Sequence, residues 1–430
     1  MSASVISRNN QSFVLQIEVP VNQGNMLVSE GLLLEQLNEA GKLGTHEILE
    51  RFDVTSQDPI IFQGQKLTYK HQVTKRYETP YGPVDCERAV YQESGGGTTL
   101  APLDYHAHIV GSATPRLAKM VSSKYSKNAA PAVEDDLANN HGRKLSQSYI
   151  KNLCDRVGYL IEEHDNDDYD LPELDEPVAS VAIGLDGTCM LLCDDGWREA
   201  MCGTVSLYDS SGHRQYTVYV AEAPEYGKAR FLRKLEQEVG KVRERYPDAC
   251  YIGVADGARE NWRFLKQHTD FQLLDFFHVS EYVAGASHAL FPDDEGKRKI
   301  WLEDRLHRLK HKRGAASRLL HELEQAELPK RTTALVEKRY KAVTYLKNNL
   351  PLMRYYHAVK RLWPIGSGVT EAACKTLVKQ RFCCAGMRWK YESALIVLGM
   401  RALAETKGRW DQLWERITCE NRLGEPVSSY

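Results

Sequence analysis

The chain has 430 residues, enough for two or three domains that each bury a core. With 42% hydrophobic and 27% charged residues it has the composition of a globular protein, which excludes a disordered or low-complexity chain. A formal net charge of −2 excludes a uniformly basic nucleic-acid binder but not a local cationic surface.

Residues 1–100 form an N-terminal region whose clearest feature is "LTYKHQVTKRYETPYGPVDCERAVYQ", residues 67–92. Two β-rich runs flank the turn signal "TPYGP", which predicts a hairpin. From 101 to 161 the pattern is helical. Within it, "AVEDDLANNHGRKLSQSYIKNLCDRVG" has the layout of a helix-turn-helix. An acidic helix ends near Asn140, Gly142 permits the turn, and Ser146 caps a second helix with Tyr149, Ile150, Leu153 and Val157 inward. The start of such a second helix enters the major groove, so Arg143, Lys144, Gln147, Ser148 and Lys151 are expected to face DNA. A plain helical hairpin would show the same pattern.

Residues 162–177, "EEHDNDDYDLPELDEP", are too acidic to bury a core and read as a solvated linker. Residues 178–282 then alternate in a defined order. "VASVAIGLDGT" reads as a strand ending in Asp186, followed by the strands "WREAMCGTVSLYD" and "QYTVYVAEA". "KARFLRKLEQEVGKVRERY" is an amphipathic helix with Phe231, Leu232, Leu235, Val239 and Val242 on one stripe. A strand ending in Asp256, the helix "ENWRFLKQH" and a fifth strand "FQLLDFF" complete the series. Three strands, helix, strand, helix, strand predicts an α/β fold with an RNase H-like core, a mixed five-stranded sheet with flanking helices.

Asp186 and Asp256 share one grammar: apolar strand, Asp, Gly. On neighbouring strands their carboxylates would repel, and one would be driven to protonate unless a cation lay between them. Mg²⁺, with its preference for hard oxygen ligands, suits such a site, and Mn²⁺ can substitute. Two ions, roughly 3.5–4 Å apart, would clamp the attacking and leaving oxygens of a phosphoryl transfer. A third acid is expected at Glu371, in "WPIGSGVTEAACKTLVKQRF", with Ser367 as the helix cap. Lys375 and Lys379 follow at i+4 and i+8 on its face, as cations for phosphates. Glu281, directly after the fifth strand, is the rival third acid. His278, in the sequence D-x-x-H with Asp275, is a candidate to orient the scissile phosphate or a water.

Residues 283–362 read as a helical, basic insertion. Between 297 and 361 there are 18 Lys/Arg against 6 Asp/Glu, a local excess in a nearly neutral chain. Such a surface binds phosphates without sequence preference. Trp301, Tyr340, Tyr345, Tyr355 and Tyr356 lie among these cations as bundle core or as stacking rings for unpaired bases. Residues 363–430 hold the last helices of the core and a tail, with Arg388 and Trp389 as further candidates for phosphate and base contacts. The ten cysteines contain no CxxC pair, the first residues lack an apolar signal segment, and no run reaches a membrane span's length. These features give the expectation of a cytoplasmic protein with reduced thiols and no membrane association.

Six segments, "DGT" at 186–188, "WREAMCG" at 197–203, "ADGA" at 255–258, "LDFFHVSEY" at 274–282, "PIGSGVTEAACK" at 364–375 and "GMRWK" at 386–390, together resemble DDE transposases of bacterial insertion sequences, most of all the ISKra group. The resemblance runs through nearly all of 180–405. It implies a metal-binding triad of Asp186, Asp256 and Glu371, with His278 as an auxiliary active-site residue. It implies that the helices before Glu371 are an insertion, which ranks Glu371 above Glu281. Implied partners are DNA, both the terminal inverted repeats of the element and a target, bound by a homodimer or higher homo-oligomer. A structure-selective nuclease or resolvase on the same fold, and a non-catalytic helix-turn-helix regulator, are the alternatives.

Overall fold

The structure is a computed structural model that describes residues 3–22, 24–54, 56–164, 169–330 and 332–419. The chain forms two compact units, one of residues 1–167 with 408–430 and one of residues 168–407. Part of the acidic stretch expected as a linker, residues 165–168, lies outside the described residues, as does the tail from 420.

The first unit opens with a hairpin of β1 (Ala3–Arg8) and β2 (Phe13–Ile17), then the 24-residue helix α1 (Met26–Leu49). The hairpin expected at 67–92 forms: β4 (Gln65–Glu78) and β5 (Pro83–Glu93) pair antiparallel, flanked by β3 (Ile60–Phe62) and β6 (Thr99–Leu100). Thr79 closes the turn, its hydroxyl donating to Gly82 O at 2.7 Å. The helices α2 (Pro102–His106), α3 (Pro115–Lys127), α4 (Ala130–His141) and α5 (Gln147–Glu163) follow. The turn between α4 and α5 forms as its residues dictate. Gly142 adopts the left-handed conformation (φ 62°) that ends α4, and the Ser146 hydroxyl accepts from Tyr149 N to start α5.

In the second unit β7 (Ser180–Leu192), β8 (Gly196–Tyr208), β9 (Arg214–Glu222), β10 (Cys250–Ala255) and β11 (Phe271–Leu274) form a five-stranded sheet of order β11-β10-β7-β8-β9. Only β8 runs against the other four, so the sheet is mixed and the architecture is α/β. α6 (Ala229–Arg245) carries the chain from the edge strand β9 across to β10, and α7 (Arg259–His268) is the crossover between the parallel neighbours β10 and β11.

The strand expected to end at Asp186 does not. β7 continues to Leu192 because β8 pairs with it along its whole length, from Ser180↔Tyr208 to Leu192↔Gly196. On its other edge, the ladder with β10 stops at Ile183↔Gly253. Asp186 therefore stands where β7 is released on one side only. The fifth strand also stops sooner than expected, at Leu274, because the Asp275 carboxylate accepts from His278 N at 2.8 Å and caps α8 (Phe276–Leu290).

Helices fill the chain from there: α9 (Glu295–His311), α10 (Ala315–Gln325), α11 (Thr333–Asn349) and the short α12 (Tyr355–Lys360). Then α13 (Gly368–Ala373) runs on into a π-helical stretch (Cys374–Lys379) and a last turn, α14 (Gln380–Phe382). The unit closes with α15 (Tyr391–Glu405), and α16 (Arg409–Cys419) belongs to the first unit, where Lys119 meets Asp411 at 2.7 Å. Opposite faces of the sheet are covered by different helices. A Cβ on Gly203 would meet Phe231 and Leu235 of α6, and one on Gly184 would meet Thr370 of α13. Among the described residues no helix is long and apolar enough to cross a membrane.

Candidate active site

Side chains alternate along a strand, so Asp186 shares the face of Gly184, under α13. Gly184 allows α13 to sit close, and Thr370 Oγ1 meets Thr204 Oγ1 of β8 at 2.7 Å in a buried hydroxyl pair. One turn after Glu371, Cys374 donates its thiol to Asp186 Oδ2 at 3.7 Å. Hydrogen bonding to Cys202, opposite Asp186 on β8, and burial push the Cys374 thiol far up, so it remains a protonated donor. The other Asp186 oxygen accepts from Gly187 N at 2.7 Å.

Asp256 follows β10, three residues past the last β7 pairing, as Asp186 does on β7. Its backbone turns at once: Gly257 has φ 108°, a conformation that L side chains rarely adopt, and Asp256 Oδ1 accepts from Ala258 N at 3.1 Å. Tyr345 of α11 donates to the Asp256 carbonyl at 2.9 Å, and its ring stacks on Tyr282 of α8 at 3.8 Å. Two helices thus hold the peptide that presents this acid.

Glu371 lies in the first turn of α13. Ser367, the expected helix cap, is the N-cap residue of α13 and acts through its carbonyl, which accepts from Thr370 N and Glu371 N. Its hydroxyl is committed elsewhere, to Asp275 Oδ2 and to Glu371 Oε1, the latter at 3.0 Å. Asp275 is fully buried and was legible in the sequence only as a neighbour of His278.

Asp186 feels both of the other acids. Burial raises the Asp186 carboxyl above the ordinary carboxylate range, the Gly187 N–H lowers it, and the negative charges of Asp256 and Glu371 raise it again. Among the described residues no three His, Cys, Asp or Glu side chains are drawn together closely enough to hold a metal ion as they stand. The donor set still suits a hard divalent ion: three carboxylates, two of which already repel the third, are relieved by a cation.

His278 and Glu281 follow the fifth strand. Both are on α8, 3.8 Å from each other, His278 half-buried and Glu281 exposed. Lys375 and Lys379 are exposed beyond Glu371, the π-helical stretch replacing the regular helix on which their shared face was reckoned. Arg388 is exposed as well. Trp389 is not a surface ring. It is 8% exposed, packs on Phe382 at 4.5 Å under the Arg381 guanidinium, and pairs its backbone with Leu191 and Cys193 at the end of β7. Of the aromatics at 301–356, Trp301 and Tyr355 are core, while Tyr340 is exposed.

In the first unit Lys144, Gln147, Ser148 and Lys151 are exposed at the start of α5, with Gln147 donating to Glu134 at 2.8 Å. Arg143 departs from expectation. It is 4% exposed, ion-paired to Glu78 and bonded to Thr79 O at 2.9 Å, so it braces the β4–β5 turn rather than facing solvent. Comparison with protein-family models gives no match to this chain, and comparison with curated proteins gives none.

Proposed function

We propose that this chain is a DDE-type DNA transposase, an enzyme that binds the ends of a mobile element, cleaves a phosphodiester there and joins the freed 3′-hydroxyl to target DNA. The core is read as RNase H-like, with the helices between β11 and α13 as an insertion. The observation that carries the reading is that the charges of Asp256 and Glu371, acids from distant parts of the chain, both act on the Asp186 carboxyl just past the end of the ladder with β10. The strand order, with only the second of five strands reversed, supports it.

Asp186, Asp256 and Glu371 would hold Mg²⁺, or Mn²⁺ in its place. When bound, two such ions lower the pKa of an attacking water and stabilise the leaving oxygen. The chain's own part is positioning. Gly187 and Cys374 orient the two Asp186 oxygens, Ala258 and Tyr345 fix Asp256, and Ser367 meets Glu371. Lys375, Lys379 and Arg388, exposed beyond the triad, would meet backbone phosphates. The 18 Lys/Arg of residues 297–361 would add sequence-independent affinity. Lys144, Gln147 and Lys151 at the start of α5 are the candidates for reading the element end. Joining two ends would need at least a homodimer.

Asp256→Asn tests this directly. It should abolish Mg²⁺- or Mn²⁺-dependent cleavage of an element-end duplex while leaving its binding within about twofold. Cleavage by the variant at the wild-type rate refutes the site. A wild-type protein that cleaves but never joins a pre-nicked end to a target is a nuclease instead.

A further inference from the structure

One acid beside the triad has no part in it. Asp275 is fully buried, and its hydrogen bonds come from neutral donors: His278 N, Ser367 N and the Ser367 hydroxyl. Capping α8 uses only the first of these. The two bonds to Ser367 reach across 92 positions of sequence, which helix capping does not require. A buried carboxylate is costly, and keeping one for bonds that a backbone carbonyl could accept calls for a further role.

Ser367 shows what that role is. Its hydroxyl bonds Asp275 Oδ2 and lies 3.0 Å from Glu371 Oε1. A serine hydroxyl has one proton, so it donates to one carboxylate at a time. Asp275 also holds the Ser367 N–H, so the serine stays in place wherever its hydroxyl proton points. Asp275 is itself tied at both ends: its N–H donates to Ala255 O at 2.8 Å, beside Asp256, and Phe276 N donates to Ile365 O at 2.9 Å. The strand end that carries Asp256 and the loop that leads to Glu371 are therefore joined through a single residue.

We infer that Asp275 and Ser367 are positioning residues that set the Glu371 carboxylate against Asp256 for metal binding. The inference rests on the reading of Asp186, Asp256 and Glu371 as the metal-binding triad. Groups that orient a ligand in this way are worth about 10–100-fold in metal affinity.

The test is a titration of the full-length protein, without DNA, with Mn²⁺ alone, following free Mn²⁺ by electron paramagnetic resonance. Wild type should bind and Asp186→Asn should not. Ser367→Ala should bind about 10-fold or more weakly while still melting as a folded protein in the absence of metal, and Ser367→Thr, which keeps the hydroxyl, should recover most of the affinity. Asp275→Asn should fall with Ser367→Ala. If wild type binds, Asp186→Asn does not, and Ser367→Ala equals wild type, the positioning role is overturned and the triad stands. A folded Ser367→Thr as weak as Ser367→Ala overturns it too. If wild type takes up no Mn²⁺, or Asp186→Asn binds as well as wild type, the triad itself fails.

Discussion

Gly184→Ala isolates the seat of α13 on the sheet. A Cβ at position 184 would lie 2.1 Å from Thr370 Oγ1 and 3.2 Å from Thr370 Cβ, where ordinary contact begins at 3.4 Å. Thr370 is β-branched and stiff at χ1, so it cannot turn aside freely. If it turns, the buried pair with Thr204 at 2.7 Å is lost and one hydroxyl is left unpaired, at about 1–3 kcal/mol. If it stays, α13 must retreat by about an ångström, and overpacking of that kind also costs about 1–3 kcal/mol. Both routes lower the melting temperature, by about 2–4 °C per kcal/mol for a domain of this size. Only the second moves Glu371, and a misplacement of about 1 Å can cost on the order of 10²-fold in rate. Thermal melts and Mn²⁺-dependent cleavage measure the two effects. Adding Thr370→Ala removes the clashing oxygen, so the double variant should melt no lower than Thr370→Ala alone. A Gly184→Ala protein that melts with wild type, or a double variant as unstable as the sum of its parts, would refute the packing on which the site depends.

Arg143→Ala should act on stability before it acts on DNA. It leaves Glu78 without its partner and removes the bond to Thr79 O, a loss of about 3 kcal/mol that urea unfolding would register. Weaker DNA binding at unchanged stability would refute the bracing role. At alkaline pH the whole chain should weaken. Burial pushes the Cys86 and Cys250 thiols up to about 11 and the Tyr149 and Tyr251 hydroxyls up to about 12, from ordinary values of 9.0 and 10.0. The folded chain thus keeps protons that the unfolded chain releases. Stability is fully present below about pH 9 and falls as pH rises from there toward 11. Denaturant melts at about pH 8 and pH 10.5 check this, and equal midpoints would contradict it.

What could be read from the residues alone was local. Short apolar runs located the five strands, the stripe from Phe231 to Val242 located α6, and Gly142 with Ser146 marked the turn between α4 and α5. Each depends on neighbours within a few positions, where backbone preference and side-chain period act. The repeated strand-Asp-Gly pattern picked out Asp186 and Asp256 for the same reason. The first hairpin and α1 were not legible: Leu27, Leu33, Leu34 and Leu37 are all exposed on α1, so no apolar stripe marks a buried face.

The rest was decided by partners far away in sequence. Arg143 looks like a surface cation until Glu78 reaches it from the end of β4, and Trp389 looks like a stacking ring until Phe382 and the end of β7 bury it. β7 runs past Asp186 because β8 pairs with it throughout, and the Ser367 hydroxyl turns to Asp275 and Glu371 while its carbonyl caps α13. A sequence records which groups a chain carries and how they repeat along it. Which carboxylate meets which hydroxyl is settled only when the sheet and its covering helices close, since burial and charge depend on every neighbour in space.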